Sequence, residues 1–259
     1  MSIRFYKYHG TGNDFIIVDN RNHSMKFENR LIKNLCDRKS GIGADGFILL
    51  LDHLKLDFEM KFFNSDGNEG SMCGNGGRCI VAFAKKIGLI NQYTQFQTID
   101  GAHKAKIDSK NWVKLKMQDV LTIEKGEGYY HLNTGSPQYV TFVDNVHNVD
   151  VYREGRKIRF NERFKKEGTN VNFVQALGDT IFVRTYERGV EDETLSCGTG
   201  IIASAICSVI KNKSDKNTYR ISTLGGNLKV NFQKKSGKEF KNIWLEGPTS
   251  FVFYGHIET

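Results

Sequence analysis

Hydrophobic and polar positions follow one another along this chain in an order that occurs twice. Segments Phe58–Phe63 and Thr180–Tyr186 are rich in aromatic and β-branched side chains, and each predicts a β-strand. A polar loop follows each strand, and a helix is then predicted over Arg78–Ile87 and over Gly200–Lys211. The second helix is apolar or small on every face, which is typical of a helix buried on all sides. Antiparallel strands are predicted after the helices, at His103–Ile107, Trp112–Met117, Leu228–Phe232 and Ile243–Leu245.

Four short matches indicate that the chain contains an internal repeat. They begin at Gly12 and Gly135, at Gly43 and Gly168, at Cys73 and Cys197, and at Ile99 and Leu224. The matches occur in the same order at an offset of 123 to 125 residues, which chance would not produce. We therefore predict two similar halves, residues 1–117 and 118–248, of mixed α/β (α+β) class. In each half we expect a mostly antiparallel sheet wrapped around a central buried helix.

The composition is that of a globular protein with no membrane segment. Of 259 residues, 39% are hydrophobic and 25% are charged, which argues against long disorder. The longest apolar stretches, Gly46–Leu51 and Ile201–Ile210, are shorter than the ~18 residues that a membrane helix needs. The net charge is +8, but the lysines are scattered in small pairs, so we expect a solvated basic surface and no nucleic-acid partner.

Cysteine usage predicts a cytoplasmic protein with free thiols. Five cysteines, without CxxC spacing, form neither a disulfide framework nor a structural zinc site. The first residues lack the apolar region of a secretion signal. No phosphate loop, HExxH motif or cluster of metal ligands occurs either, so we expect neither a metal nor a cofactor.

Cys73 and Cys197 are the candidate reactive groups. Each stands in a Cys-Gly-x-Gly sequence just before a predicted helix, at equivalent positions of the repeat. A helix N-terminus favours the thiolate, and the glycines allow backbone N–H groups to bind an anion such as a carboxylate. We expect Cys36, Cys79 and Cys207 to be structural, Cys36 within a surface helix near 30–38 and the other two on packed helix faces.

Two equivalent thiols suggest a two-base reaction. If the halves face each other across a local dyad, one thiolate removes a proton from a carbon atom and the other thiol returns one to the opposite face. This sequence of steps inverts a stereocentre. For a carbon next to a carboxylate, the developing negative charge would be stabilised by the two helix N-termini.

Four regions of the sequence carry a resemblance to a known family. They are HGTGNDF at 9–15, FNSDG at 63–67, MCGNGGRC at 72–79, and YERG at 186–189 together with CGTG at 197–200. These regions resemble those of diaminopimelate epimerase, and the resemblance extends over nearly the whole chain. The resemblance implies two halves, each an eight-stranded sheet around a helix, with residues 249–259 returning to the first half as a closing strand.

The resemblance also implies an activity. It is the interconversion of LL- and meso-diaminopimelate for lysine and peptidoglycan precursor biosynthesis, by an isomerase that needs neither pyridoxal phosphate nor another cofactor. The partner would be this small-molecule substrate, and a homodimer is expected because members of the family often form one.

Carried over residue by residue, the resemblance assigns the site. Cys73 and Cys197 would be the catalytic acid–base pair. The α-carboxylate would be held by backbone N–H groups, namely those of Gly74, Asn75, Gly198 and Thr199. The amino groups and the distal carboxylate would be held by side chains, namely those of Asn13, Asn64, Asn170, Glu187 and Arg188. Arg188 suits the distal carboxylate because a guanidinium binds a carboxylate bidentately.

Two departures from the family's usual pattern leave alternatives open. The chain has Ser136 and Gln138 where the family commonly has Asn and His, and Ser136 would be a shorter substitute for a substrate ligand. Relatives that act on proline tend to have Cys-Gly-His at the first cysteine, and Asn75 argues against that substrate. The alternatives are a racemase of the same fold acting on another amino acid, and a non-catalytic redox-switch or binding protein.

Overall fold

A computed structural model of the chain describes residues 2–23, 25–178, 180–235 and 238–258. The chain divides into two units, Met1–Leu115 with Gly247–Thr259, and Lys116–Glu246. The first part contains β1 (Ser2–Gly10), β2 (Asn13–Asp19), α1 (Asn29–Cys36), β3 (Gly46–Leu51), β4 (Phe58–Asn64), α2 (Gly74–Lys86), β5 (Tyr93–Thr98), β6 (Gly101–Ile107) and β7 (Trp112–Lys116).

The second unit follows without interruption. It contains β8 (Ile123–Lys125), β9 (Tyr129–Asn133), β10 (Pro137–Phe142), a 3₁₀ turn (Val146–Asn148), α3 (Val151–Arg159), β11 (Asn170–Leu177), β12 (Thr180–Glu187), β13 (Asp192–Thr194), α4 (Gly198–Lys211), β14 (Thr218–Thr223), β15 (Gly226–Lys234) and β16 (Phe240–Pro248). The last strand, β17 (Ser250–Glu258), returns to the first unit, where it pairs antiparallel with β1.

The strands of each unit have the same pairing pattern. In the first unit the order is β17-β1-β2-β3-β4-β5-β6-β7, antiparallel except for the pairs β2–β3 and β4–β5. In the second it is β8-β9-β10-β11-β12-β14-β15-β16, antiparallel except for β10–β11 and β12–β14. The predicted fold class, with mostly antiparallel sheets, is therefore confirmed. Within the described residues the second unit has one strand more than the implied eight, because β13 folds back on β12.

A buried helix lies against each sheet. In both α2 and α4 every residue of the middle turns is buried, and α4 is apolar or small on all faces as the sequence predicts. Helix α1 buries Ile32, Leu35 and Cys36 in a cluster with residues of the sheet such as Phe47. Cys36 thus lies on the inner face of an amphipathic helix.

Both central helices begin earlier than the sequence predicts. Helix α2 begins at Gly74 and α4 at Gly198, before the predicted starts at Arg78 and Gly200. Glycine has a low helix propensity, so the sequence of these glycine-rich first turns resembles that of a loop. Close packing explains the glycine at position 200, where a Cβ atom would lie 2.1 Å from Asn172 Oδ1. Tertiary contacts therefore override the local preference.

Candidate active site

The two cysteines occupy the same position on their helices. Cys73 is the N-cap residue of α2 and Cys197 that of α4, both with extended backbone dihedrals. The first helical hydrogen bonds run from Gly77 N–H to the Cys73 carbonyl and from Ile201 N–H to the Cys197 carbonyl. The N–H groups of residues 74–76 and 198–200 therefore lie outside the helical hydrogen-bond ladder and point from the positive end of each helix. Each end is suited to bind a carboxylate.

Three predicted site residues come together in the first unit. The Cys73 sulfur lies 3.7 Å from Asn13 Oδ1, and Asn75 Nδ2 donates to the same oxygen at 3.1 Å. Asn13 is brought there by a two-residue hairpin between β1 and β2, in which Thr11 and Gly12 both have positive φ, 52° and 87°. This is the dihedral pattern of a type I′ turn, which glycine adopts readily and threonine rarely does.

Asn64 lies at the same end of the first unit's sheet as Asn13. It ends β4 and pairs with Gly46 at the start of β3, and Gly46 pairs in turn with Phe15 near the start of β2. The side chain of Asn64 is exposed, and its Nδ2 lies over Gly70, where a Cβ atom would come within 3.0 Å. Sheet register therefore places Asn13 and Asn64 at the same end of the sheet, on the two strands that flank β3.

The second unit collects a corresponding group of predicted residues. The buried Cys197 sulfur lies 3.5 Å from Thr199 Oγ1. Asn170, at the start of β11, accepts a hydrogen bond from Arg188 N–H at 2.8 Å through its Oδ1. Its Nδ2 donates to Ser136 Oγ at 3.1 Å, and Ser136 Oγ is 3.1 Å from Thr199 Oγ1. Asn170 thus links the turn at Arg188 to the cysteine loop.

Glu187 is the last residue of β12, and Arg188 follows directly after it. Glu187 accepts a hydrogen bond from Thr194 Oγ1 at 2.9 Å, and Arg188 Nη1 donates to the Glu167 carbonyl at 2.8 Å. Arg188 is exposed, so its guanidinium has room to bind a further carboxylate.

Residue Gln138 is a member of this network that sequence reasoning did not assign to the site. It is fully buried, and its Nε2 donates to Ser136 Oγ at 2.8 Å and to Thr199 Oγ1 at 2.9 Å. Its Oε1 accepts from Asn172 Nδ2 at 2.9 Å. Ser136 therefore does more than substitute for a longer ligand, because it connects Gln138, Asn170 and Thr199. The only signal in the sequence was the departure from the family pattern at these two positions.

Arg78 and Asp45 were also missed. Arg78, fully buried one turn into α2, donates from Nη2 to Asn75 Oδ1 at 3.0 Å. Asp45, just before β3, accepts from Asn13 Nδ2 at 2.8 Å. An arginine at the start of a predicted helix and an aspartate in a loop carry no signal for these contacts. The Asp45 contact also depends on the pairing of segments 32 residues apart.

The other cysteines have the structural character that the sequence predicts. Burial raises the pKa of Cys36 to about 12 and raises the pKa values of Cys79 and Cys207 still further. These thiols stay protonated at neutral pH and are poor nucleophiles. Among the described residues, no group of three or more His, Cys, Asp or Glu side chains is placed to hold a metal ion, and no described helix is long and apolar enough to cross a membrane.

Solved structures share this fold. The chain superposes with a TM-score of 0.81 on a PhzF-family phenazine biosynthesis protein from Bacillus anthracis, at 13% identity and with 100% of both chains covered. It superposes with a TM-score of 0.74 on a probable proline racemase from Agrobacterium radiobacter, at 13% identity and with 99% and 93% of the two chains covered. The chain therefore has the fold of these proteins.

Sequence comparison is more specific. A family profile described as diaminopimelate epimerase matches residues 5–123 and 130–252. The diaminopimelate epimerase of Flavobacterium psychrophilum is 50% identical over 253 residues, which cover 97% of this chain and 98% of the relative. The chain belongs to the diaminopimelate epimerase family.

Proposed function

We propose that this protein interconverts LL- and meso-diaminopimelate, with Cys73 and Cys197 as the acid–base pair. The observation that carries the proposal is that both thiols are N-cap residues of equivalent buried helices, each beside a helix end suited to a carboxylate. Family membership supports the substrate and the place in lysine and peptidoglycan precursor biosynthesis.

The proposed reaction consists of two proton transfers at one carbon. One cysteine, as the thiolate, removes the α-proton, and the electron pair of the broken C–H bond stays on the carbon and its carboxylate. The other cysteine, as the thiol, delivers its proton to the opposite face. The protonation of the two cysteines is then reversed, and no proton is gained or lost overall. The N–H groups at the two helix ends stabilise the charge that develops on the carboxylate.

The remaining polar residues select the substrate. We propose that Asn13, Asn64, Asn170 and Glu187 hold the amino groups and that Arg188 binds the distal carboxylate. The position of Asn170 supports this assignment, because its amide lies between the Arg188 turn and the network around Thr199.

We also propose a homodimer formed through β17. Within the described part of the first unit β17 pairs with β1 alone, so its other edge is open. Four consecutive large side chains on it are exposed, namely Phe251, Val252, Phe253 and Tyr254. A second copy of the chain would cover this apolar edge, since a free edge of this kind promotes association.

The dimer proposal is tested by light scattering on purified protein. The unaltered protein should have the mass of two chains, and Tyr254→Glu should have the mass of one. Leu54→Glu is the matched control, because Leu54 is fully exposed in the loop between β3 and β4, and the variant should leave the mass unchanged. A monomeric unaltered protein would contradict the proposal.

Free thiols and scattered surface charge support a cytoplasmic enzyme whose partner is a small molecule, with no nucleic acid or membrane involved.

The activity is tested with purified, reduced protein and LL-diaminopimelate, with no cofactor added, followed by separation of the stereoisomers. Cys73→Ser and Cys197→Ser should each lower turnover by several orders of magnitude, because a hydroxyl is a far weaker acid than a thiol. Cys36→Ala removes a buried thiol outside the site and should keep turnover. Full epimerisation by either serine variant would refute the two-base assignment.

The alternatives predict different results. A racemase for another amino acid would act with higher kcat/KM on a monocarboxylic substrate than on diaminopimelate. A redox or binding protein would exchange no solvent deuterium into any added amino acid.

A further inference from the structure

A continuous chain of polar contacts connects a buried cation to the Cys73 sulfur. Arg78 Nη2 donates to Asn75 Oδ1, Asn75 Nδ2 donates to Asn13 Oδ1 at 3.1 Å, and Asn13 Nδ2 donates to Asp45 Oδ2 at 2.8 Å. The Cys73 sulfur lies 3.7 Å from Asn13 Oδ1, the oxygen in the middle of this chain. We call the four residues Arg78, Asn75, Asn13 and Asp45 the amide relay.

The two ends of the amide relay determine how both amides are turned. An arginine N–H can only donate, so the atom of Asn75 that faces Arg78 must be the oxygen. A carboxylate can only accept, so the atom of Asn13 that faces Asp45 must be the nitrogen. Each amide then has one orientation, and Asn13 presents its oxygen to Cys73.

Further contacts hold both ends in place. Arg78 also donates to the Thr11 hydroxyl and to the Gly74 carbonyl, both at 3.3 Å, and Gly10 leaves the space for its guanidinium. Asp45 Oδ1 accepts from Arg38 Nη2 at 2.7 Å, which fixes the other oxygen toward Asn13.

An amide oxygen and an amide N–H have opposite effects on a nearby thiol. The oxygen accepts a hydrogen bond from the S–H group and so stabilises the thiol, whereas an N–H would stabilise the thiolate. We propose that Asp45 and Arg78 are positioning residues for Cys73, which fix the Asn13 oxygen on its sulfur and hold it as the proton-donating thiol in the substrate-free protein. The proposal rests on the role of Cys73 proposed above.

The charged and titratable groups around Cys73 come from three elements. Arg78 and Cys79 lie on its own helix, Asp14 lies on β2, and Asp45 precedes β3. Burial alone would raise the pKa of Asp14, but hydrogen bonds from Arg38 and Lys7 outweigh it and hold that pKa well below its usual range. Asp14 is therefore ionised and paired. A substitution of Asp45 by a neutral residue then acts on Cys73 through the orientation of Asn13.

Asp45→Asn is the decisive variant, because it removes the acceptor that fixes Asn13 while keeping a side chain of the same shape. Arg38 would bind the new amide by its oxygen, as it now binds Asp45 Oδ1. The new N–H₂ group would then face the N–H₂ group of Asn13 and the Asp14 backbone N–H, which now donates to Asp45 Oδ2 at 3.2 Å. Asn13 would lie between two N–H₂ groups, those of Asn75 and residue 45, and would lose its single orientation. Whenever its oxygen turns toward residue 45, its own N–H₂ faces the Cys73 sulfur. Asp45 is 44% exposed, so the variant should fold.

The measurement is the rate at which iodoacetamide alkylates each cysteine at pH 7, followed by peptide mass spectrometry. Asp45→Asn should increase the rate at Cys73 about fivefold relative to Cys197, which corresponds to one hydrogen bond of about 1 kcal/mol. Asp37→Asn is the matched control, since it removes the same charge from a fully exposed carboxylate at the end of α1 and should leave the ratio unchanged. An unchanged ratio in Asp45→Asn, or an equal rise in Asp37→Asn, would overturn the proposal.

A second pair of variants tests the other end of the relay. Arg78→Met should lower turnover about tenfold, and Arg78→Lys, which keeps a donor, should restore part of it. Ile202→Met is the control, because the fully buried Ile202 is the repeat equivalent of Arg78 on α4. Equal loss in Arg78→Met and Arg78→Lys would remove Arg78 from the proposal. Full activity of Cys73→Ser would instead refute the proposed function, so the two failures are distinguishable.

Discussion

Replacing one glycine in each central helix by alanine should have different effects on stability. Gly76 and Gly200 occupy equivalent positions of the repeat, each the third residue of its helix. Helix propensity alone predicts that alanine stabilises both by about 1 kcal/mol. The surroundings differ, however, and they determine the sign.

At Gly200 the new methyl group would lie 2.1 Å from Asn172 Oδ1, which is buried. Moving Asn172 would break three hydrogen bonds. Its Oδ1 accepts from Thr185 Oγ1 at 2.9 Å, and its Nδ2 donates to Gln138 Oε1 at 2.9 Å and to the Tyr139 carbonyl at 3.0 Å. At about 1 kcal/mol each, their loss exceeds the gain in helix propensity, and a net destabilisation of about 2 kcal/mol is expected.

At Gly76 the methyl group would lie closest to the ends of two flexible side chains, Ile48 Cδ1 at 3.2 Å and Met60 Cε at 3.4 Å, and at an ordinary contact distance of 3.6 Å from Phe15 Cε1. These can move by a few tenths of an ångström, so Gly76→Ala should be neutral or slightly stabilising. Thermal unfolding followed by circular dichroism measures both variants. Gly200→Ala should lower Tm by about 4–8 °C, and Gly76→Ala should change it little. A Tm that rises in Gly200→Ala, or falls equally in both, would refute this packing argument.

Three further results are expected. Arg188→Met should lower kcat/KM for diaminopimelate by about 30-fold or more, since losing a charged contact that the bound substrate would bury costs about 2–5 kcal/mol; unchanged kinetics would exclude this contact. In the folded protein the pKa of Asp14 lies below its ordinary value of 3.8. The ionised Asp14 therefore stabilises the fold above that pH, and this stabilisation is lost on acidification. The free energy of unfolding from urea titrations should therefore fall between pH 5 and pH 3, and fall less in Asp14→Asn. At pH 7.5 iodoacetamide should leave Cys36, Cys79 and Cys207 unmodified in the folded protein, and modification there before the two helix-capping thiols would contradict the burial described above.

The fold class was predictable because its signals are local. The apolar helix around Ile206 and the aromatic strand beginning at Phe58 each arise within a short window of sequence, and each match of the repeat is itself only a few residues long. The helix starts were not predictable, since glycine-rich first turns resemble loops until the packing partner is known. At Gly200 that partner is Asn172, 28 residues away along the chain on another element.

The candidate site was predictable only where a motif contains the residue. The cysteine loops and Asn13 stand in recognisable motifs, and the structure places Cys73 beside Asn13. Asp45 and Gln138 stand outside them, because their roles depend on which strands become neighbours. The parallel pairing of β2 with β3 brings Asp45 to Asn13, and the pairing of β10 with β11 brings Gln138 to Asn172.

The return of β17 to the first unit has a consequence for how the protein forms during translation. The second unit is one uninterrupted segment and has all of its strands as soon as Glu246 has left the ribosome. The first unit is synthesised earlier, yet β1 must wait for β17, whose partner residues Ser2 and Glu258 are separated by almost the entire chain. Until then β1 exposes an open strand edge, so the half that is made first is completed last and depends longest on protection from aggregation.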